Sequence, residues 1–65
     1  MRIKVNGVAL ETSAATLTEL LESLGYDHSS VATAVDGEFV PRALRSEVRL
    51  SEGMLLDIVA PIQGG

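Results

Sequence analysis

The chain has no cysteine and a single histidine, His28, and these two scarcities remove most of the familiar chemistries. Without a thiol there is no disulfide framework, no cysteine nucleophile and no thiolate metal site. One imidazole among dispersed carboxylates does not assemble a metal centre either, so no metal ligands are expected. Asp27, Ser29 and Ser30 flank His28. A nucleophilic triad, however, needs groups that converge in space beside an oxyanion site, which neighbours in one polar loop rarely do. Glycine-rich phosphate loops are missing as well, with no strand leading into G-x-x-x-x-G-K-[ST] or G-x-G-x-x-G. The folded body is therefore expected to be neither an enzyme nor a holder of a cofactor.

Basic residues are few and scattered, at Arg2, Lys4, Arg42, Arg45 and Arg49, against 9 acidic ones, for a formal charge of −4. Nucleic acid, which requires a clustered positive face, is an unsuitable partner. The acidic balance fits a partner with a positive docking surface, and it equally serves solubility. Long apolar runs are absent: none approaches the roughly 18 residues of a spanning helix. Met1 leads into the alternating Arg2-Ile3-Lys4-Val5 rather than into a signal-peptide core. The reading is a soluble cytoplasmic protein with no membrane partner. At 65 residues it forms one domain, near the size at which a chain buries only about 60% of its unfolded surface.

What is present is a clear order of elements. Arg2–Val5 and Val8–Thr12 alternate on either side of Asn6-Gly7, a hairpin signal because a type I′ turn needs positive φ at both central positions. That register sets Val5 opposite Val8 and Ile3 opposite Leu10, all on one face. The period then changes to helical. Thr16 and Glu19 form a capping box, Leu17, Leu20, Leu21 and Leu24 make one stripe, and Gly25 suits the left-handed end. The stripe is expected to pack on the hairpin's apolar face as core.

Beyond the polar loop at Asp27–Ser30, Val31–Val35 is predicted as a strand, Asp36-Gly37 as a turn and Glu38-Phe39-Val40 as a further strand that Pro41 ends. Ala43–Arg45 is expected to form a short turn, Glu47–Leu50 a brief strand and Ser51–Gly53 another turn. Met54–Ala60 is nearly continuous in apolar residues, as in a strand covered on both faces or flanked on both sides, and is placed centrally. A hairpin whose helix crosses over to further strands is an α+β mixed sheet with one main helix packed on one face. This is the β-grasp, or ubiquitin-like, layout. It is assigned to residues 1–60, with 61–65 as a flexible tail.

The tail carries the chemistry. Pro61 stops the ladder, Ile62 offers one apolar anchor, Gln63 follows, and Gly64-Gly65 brings the α-carboxylate out without side chains around it. A carboxylate is a poor electrophile. Joining it to AMP gives a mixed anhydride that a sulfur or nitrogen nucleophile opens, and a slender end leaves room for both attacks. Val40-Pro41-Arg42 is a strand end with a surface arginine. That arginine either pairs weakly with a nearby carboxylate or offers its planar donor fork to a partner.

With Asn6-Gly7, Val35–Arg42, Ser51–Val59 and Gly64-Gly65 in view, the chain resembles, over essentially its whole length, the ThiS family of sulfur carriers in thiamine biosynthesis. The resemblance implies that Gly65 is adenylated by an ATP-dependent, ubiquitin-activating-like adenylyltransferase of the ThiF type and becomes a thiocarboxylate. It implies sulfur drawn from cysteine by a desulfurase and delivered to a ThiG-type thiazole synthase. Gly64 would then give clearance, Pro61, Ile62 and Gln63 would line the partner's channel, and Val40 and Arg42 would contribute to docking. Three alternatives stay open: the small subunit of molybdopterin synthase or another sulfur pathway, a plain ubiquitin-like interaction module, and a protein-modifying tag whose glycine is joined to lysine amines.

Overall fold

The computed structural model describes residues 1–61; Ile62, Gln63, Gly64 and Gly65 lie outside the described residues, and with them most of the expected tail. Two hairpins supply four of the five strands. β1 (Arg2–Val5) and β2 (Val8–Glu11) pair antiparallel with Ile3 opposite Leu10 and Val5 opposite Val8, as the alternation requires. Asn6 and Gly7 both take positive φ, 51° and 82°, which defines the type I′ turn. β3 (Ala32–Val35) and β4 (Glu38–Val40) repeat the device through Asp36 and Gly37, at φ 50° and 85°.

α1 (Leu17–Leu24) starts where Thr16 Oγ1 accepts the Glu19 N–H at 3.2 Å. Glu19 answers by accepting the Ala15 N–H at 2.9 Å, one residue earlier than the usual reciprocal bond. At the other end Gly25, φ 80°, places its N–H on the Glu22 carbonyl and the Tyr26 N–H on that of Leu21, a Schellman closure. Leu17, Leu20 and Leu21 are fully buried with Ile3, Ala14, Leu50, Leu56 and Ile58. Leu24, the last residue of the helix, and Val8, the first of β2, stay exposed along a shared groove.

β5 (Leu55–Val59) lies at the centre of the sheet, whose order is β2-β1-β5-β3-β4. It runs parallel to β1 and antiparallel to β3. Its apolar run reflects this central position rather than cover on both faces: Leu56 and Ile58 are buried, whereas Leu55 and Val59 are more than half exposed on the open side.

Several sequence expectations need correction: β2 ends at Glu11 rather than Thr12, and β5 is shorter than Met54–Ala60 by one residue at each end. β3 begins at Ala32, not Val31. The short turn at Ala43–Arg45 is part of a longer 3-10 helix, Arg42–Glu47, which Pro41 enters in extended conformation. The brief strand at Glu47–Leu50 does not form. Val48 and Leu50 do turn inward, but the segment lies against the start of α1, where Leu17 N–H reaches the Val48 carbonyl and Leu50 N–H that of Ala15. One isolated bridge, Thr16 to Arg49, is all the ladder that a helix entrance allows.

Candidate functional site

The site is defined by where β5 releases the chain. Because β1 and β5 are parallel, the Asn6-Gly7 turn and the end of β5 fall at the same edge of the molecule. Asn6 ties them together: its Oδ1 accepts the Ile58 N–H at 2.9 Å and its Nδ2 donates to the Ile58 carbonyl at 3.1 Å. Val59 closes the strand, and Ala60 and Pro61 follow, both exposed. Of the expected tail residues only Pro61 is described; Ile62, Gln63, Gly64 and Gly65 are not.

On the open side of the sheet, cross-strand neighbours bring Phe39, Ala34 and Asp57 into one row and Ala32 beside Val59. Phe39, Leu55 and Val59 are 68%, 51% and 64% exposed, and Val59 is the last residue of β5. On the helix side, Val5, Val8, Leu10, Leu24 and Tyr26 line a groove of about 330 Å³ beside the same turn.

Val40 and Arg42, expected together at a docking point, have different surroundings. Val40 is half-buried against the core, and its carbonyl accepts the Thr33 hydroxyl at 2.9 Å. Arg42 is exposed at the start of the 3-10 helix and makes no ion pair with any described residue. Its planar donor fork is open to solvent.

Arg45, by contrast, is 3% exposed. It donates Nε–H to Thr33 Oγ1 at 3.1 Å and its two terminal nitrogens to the carbonyls of His28 and Val31 at 2.8 and 2.7 Å. Burial, and secondarily the charge of Arg42, lowers its pKa, and a guanidinium nonetheless stays protonated. The residue thus locks the 3-10 helix to β3. Sequence reasoning passed over it, although Thr33, a hydroxyl on the inward register of an otherwise apolar strand, signals that a buried partner is needed.

His28 contributes only its backbone carbonyl to this arrangement. The neighbouring Asp27 folds its own loop: Oδ1 accepts the Ser29 N–H and hydroxyl, and Oδ2 the Ser30 hydroxyl. These bonds, that from Ser30 foremost, hold its carboxyl below the usual range. Among the described residues no three His, Asp or Glu side chains converge as metal ligands, and no helix is long and apolar enough to cross a membrane.

A mixed five-stranded sheet with one capped helix on its inner face, and a central last strand parallel to the first, is a β-grasp protein. Among the described residues, the edge where β5 ends carries Asn6, Val59, Ala60 and Pro61 and no cluster of possible metal ligands. The model of the ThiS family matches residues 3–65, and the chain belongs to that family.

Similar solved structures agree. The crystal structure of thiamine biosynthesis protein ThiS from Geobacter metallireducens superposes with a TM-score of 0.83 at 25% identity, covering 100% of both chains. The solution structure of a thiamine biosynthesis protein from the same organism gives 0.84 at 25% identity, covering all of this chain and 88% of that one. A curated relative, the thiazole synthase of Paramagnetospirillum magneticum, is 38% identical over 66 residues. The chain spans 20% of the length of that relative.

Proposed function

We infer that this chain is a sulfur carrier of thiamine biosynthesis, a co-substrate rather than an enzyme, whose Gly65 carboxylate is adenylated and then converted to a thiocarboxylate. The observation that carries the reading is membership of the ThiS family through residue 65, on a body whose central strand is the last one, Leu55–Val59. A Gly65 carboxylate oxygen attacks the α-phosphorus of ATP held by a ThiF-type adenylyltransferase, and pyrophosphate leaves. The terminal sulfur of a persulfide, charged by a cysteine desulfurase, then attacks the acyl carbon, and AMP departs with the electrons of the C–O bond. A second thiol cleaves the resulting acyl disulfide by exchange at the enzyme's sulfur, leaving the thiocarboxylate on Gly65. ATP is thus the activating enzyme's substrate, and the carrier itself needs no cofactor.

Gly64 has no side chain to obstruct either attack, and Pro61, Ile62 and Gln63 occupy the partner's entry channel. Val59, the last residue of β5, is exposed on the open side of the sheet with Phe39 and Leu55 around Asp57, so the adenylyltransferase that receives the tail also covers that face. Arg42, exposed at the start of the 3-10 helix, adds a charged contact with the partner. Delivery to a ThiG-type thiazole synthase is supported by the curated relative of that name, in which a segment like this chain shares a polypeptide with a much longer remainder. This chemistry belongs in the cytoplasm.

ATP–pyrophosphate exchange by the adenylyltransferase tests the reading. Exchange should require the carrier and vanish when Gly65 is deleted, with the melting temperature unchanged, because the last residue of a domain usually contributes little to stability. Exchange that persists without Gly65, or none with the full chain, would overturn it.

A further inference from the structure

Asn6 carries more than the turn requires. Lys4 N–H donates to the Met54 carbonyl and Asn6 N–H to that of Leu56, each at 2.9 Å, so even-numbered residues of β5 turn their peptide groups toward β1. Ile58 is next in that series. At Asn6, however, φ swings to 51° and the backbone leaves for the β1–β2 turn, taking away the peptide that would have paired with Ile58. The Asn6 side chain stands in its place. Oδ1 accepts from Ile58 N–H and Nδ2 donates to the Ile58 carbonyl, at 2.9 and 3.1 Å. A carboxamide presents the same acceptor and donor as a peptide unit, so the parallel ladder is carried one step beyond its own backbone. The reversed amide would set its NH2 against the Ile58 N–H, so this pair of bonds fixes the orientation.

The extension falls at the last point where the body can control the exit of the chain. Ile58 is followed by Val59, which ends β5 and is held from the other side by Ala32 of β3. Without the clamp, β5 is secured on one edge only just before it is released.

We propose that Asn6 is a positioning residue for the carrier tail: its carboxamide clamp on Ile58 sets the place and direction in which the chain leaves the body toward Gly65. The proposal rests on the carrier reading above. A body docked on the adenylyltransferase with a well-aimed tail base brings the carboxylate to the ATP α-phosphorus in most encounters. Removing the clamp leaves docking intact and lowers the productive fraction; a misplacement of about 1 Å can cost about a hundredfold in rate, and a strand end still held by Ala32 is expected to lose about tenfold. The effect appears in kcat, not in KM for the carrier.

Asn6→Gly tests this, because glycine keeps the positive φ of the turn and removes only the carboxamide. The matched control is Asp36→Gly, the same change in the equivalent turn at the opposite end of β5, where Asp36 N–H meets the Leu55 carbonyl. In ATP–pyrophosphate exchange with the ThiF-type adenylyltransferase, Asn6→Gly is expected to lower kcat about tenfold with KM within about twofold, while Asp36→Gly matches the unaltered chain. Asn6→Asp, which keeps the acceptor for Ile58 N–H and loses the donor, should fall between them and serves as the test if Asn6→Gly does not fold. Unchanged kcat in both Asn6 variants, an effect confined to KM, or an equal loss in Asp36→Gly would overturn the proposal. Absence of exchange with the unaltered chain would instead count against the carrier reading itself.

Discussion

Arg45 donates its Nε–H to Thr33 Oγ1 across 3.1 Å, so a buried cation is held by a hydroxyl and two carbonyls rather than by a carboxylate. Thr33 passes the connection on by donating to the Val40 carbonyl, which joins the 3-10 helix, β3 and β4. Truncating the arginine leaves the buried Thr33 hydroxyl and the part-buried carbonyls of His28 and Val31 without their donor. Arg45→Met is therefore expected to cost about 2–4 kcal/mol in urea denaturation, and Thr33→Val about 1–2 kcal/mol. The double variant should lose less than the sum, since each change breaks the same bond.

The helix entrance provides an independent check. Thr16 Oγ1 satisfies one otherwise unpaired N–H, and Glu19 secures the residue before the cap. Thr16→Ala should lower stability by about 1 kcal/mol, while Thr16→Ser leaves it nearly unchanged, as read from chemical melts.

Asp27 makes stability depend on acid. Its carboxyl is depressed by the Ser30 hydroxyl first, then by the Ser29 N–H and hydroxyl. A folded pKa below the unfolded one means that the contribution is complete above the unfolded value, near 4, and is lost as pH falls through the folded one. The stability gap between the unaltered chain and Asp27→Asn should stay constant from neutral pH to about 5 and close only in stronger acid. A gap that closes already between pH 7 and 5 would contradict the assignment.

Arg42 separates binding from folding. Exposed and without an ion pair among the described residues, it should tolerate Arg42→Ala with less than about 0.5 kcal/mol of change in stability. The same change is expected to raise KM for the adenylyltransferase about fivefold with kcat preserved, and to weaken the salt dependence of the association rate.

The legible parts of the sequence were those in which local chemistry and tertiary packing ask for the same residue. Asn6-Gly7 and Asp36-Gly37 demand positive φ whatever surrounds them, and the Leu17, Leu20, Leu21 stripe with Thr16 and Gly25 at its ends specifies a helix twice over. Glu47–Leu50 misled because inward Val48 and Leu50 alternate as in a strand, yet their neighbour is the start of α1, which offers one bridge and no ladder. Arg45 and the second role of Asn6 were hidden for a related reason. Each depends on a partner far along the chain, Thr33 in one case and Ile58 in the other, that periodicity does not connect. Gly64-Gly65 and the stop at Pro61 point to chemistry at the chain end, and of that segment the described residues include only Pro61, two positions beyond the central strand β5.

Weighing the intact protein after incubation with its adenylyltransferase, ATP, a cysteine desulfurase, cysteine and a thiol tests the central claim most directly. The account predicts a gain equal to one oxygen replaced by sulfur, localised to Gly65 by fragmentation and dependent on ATP. An unchanged mass under conditions where the enzyme consumes ATP, or a product joined through an isopeptide bond to lysine, would contradict it.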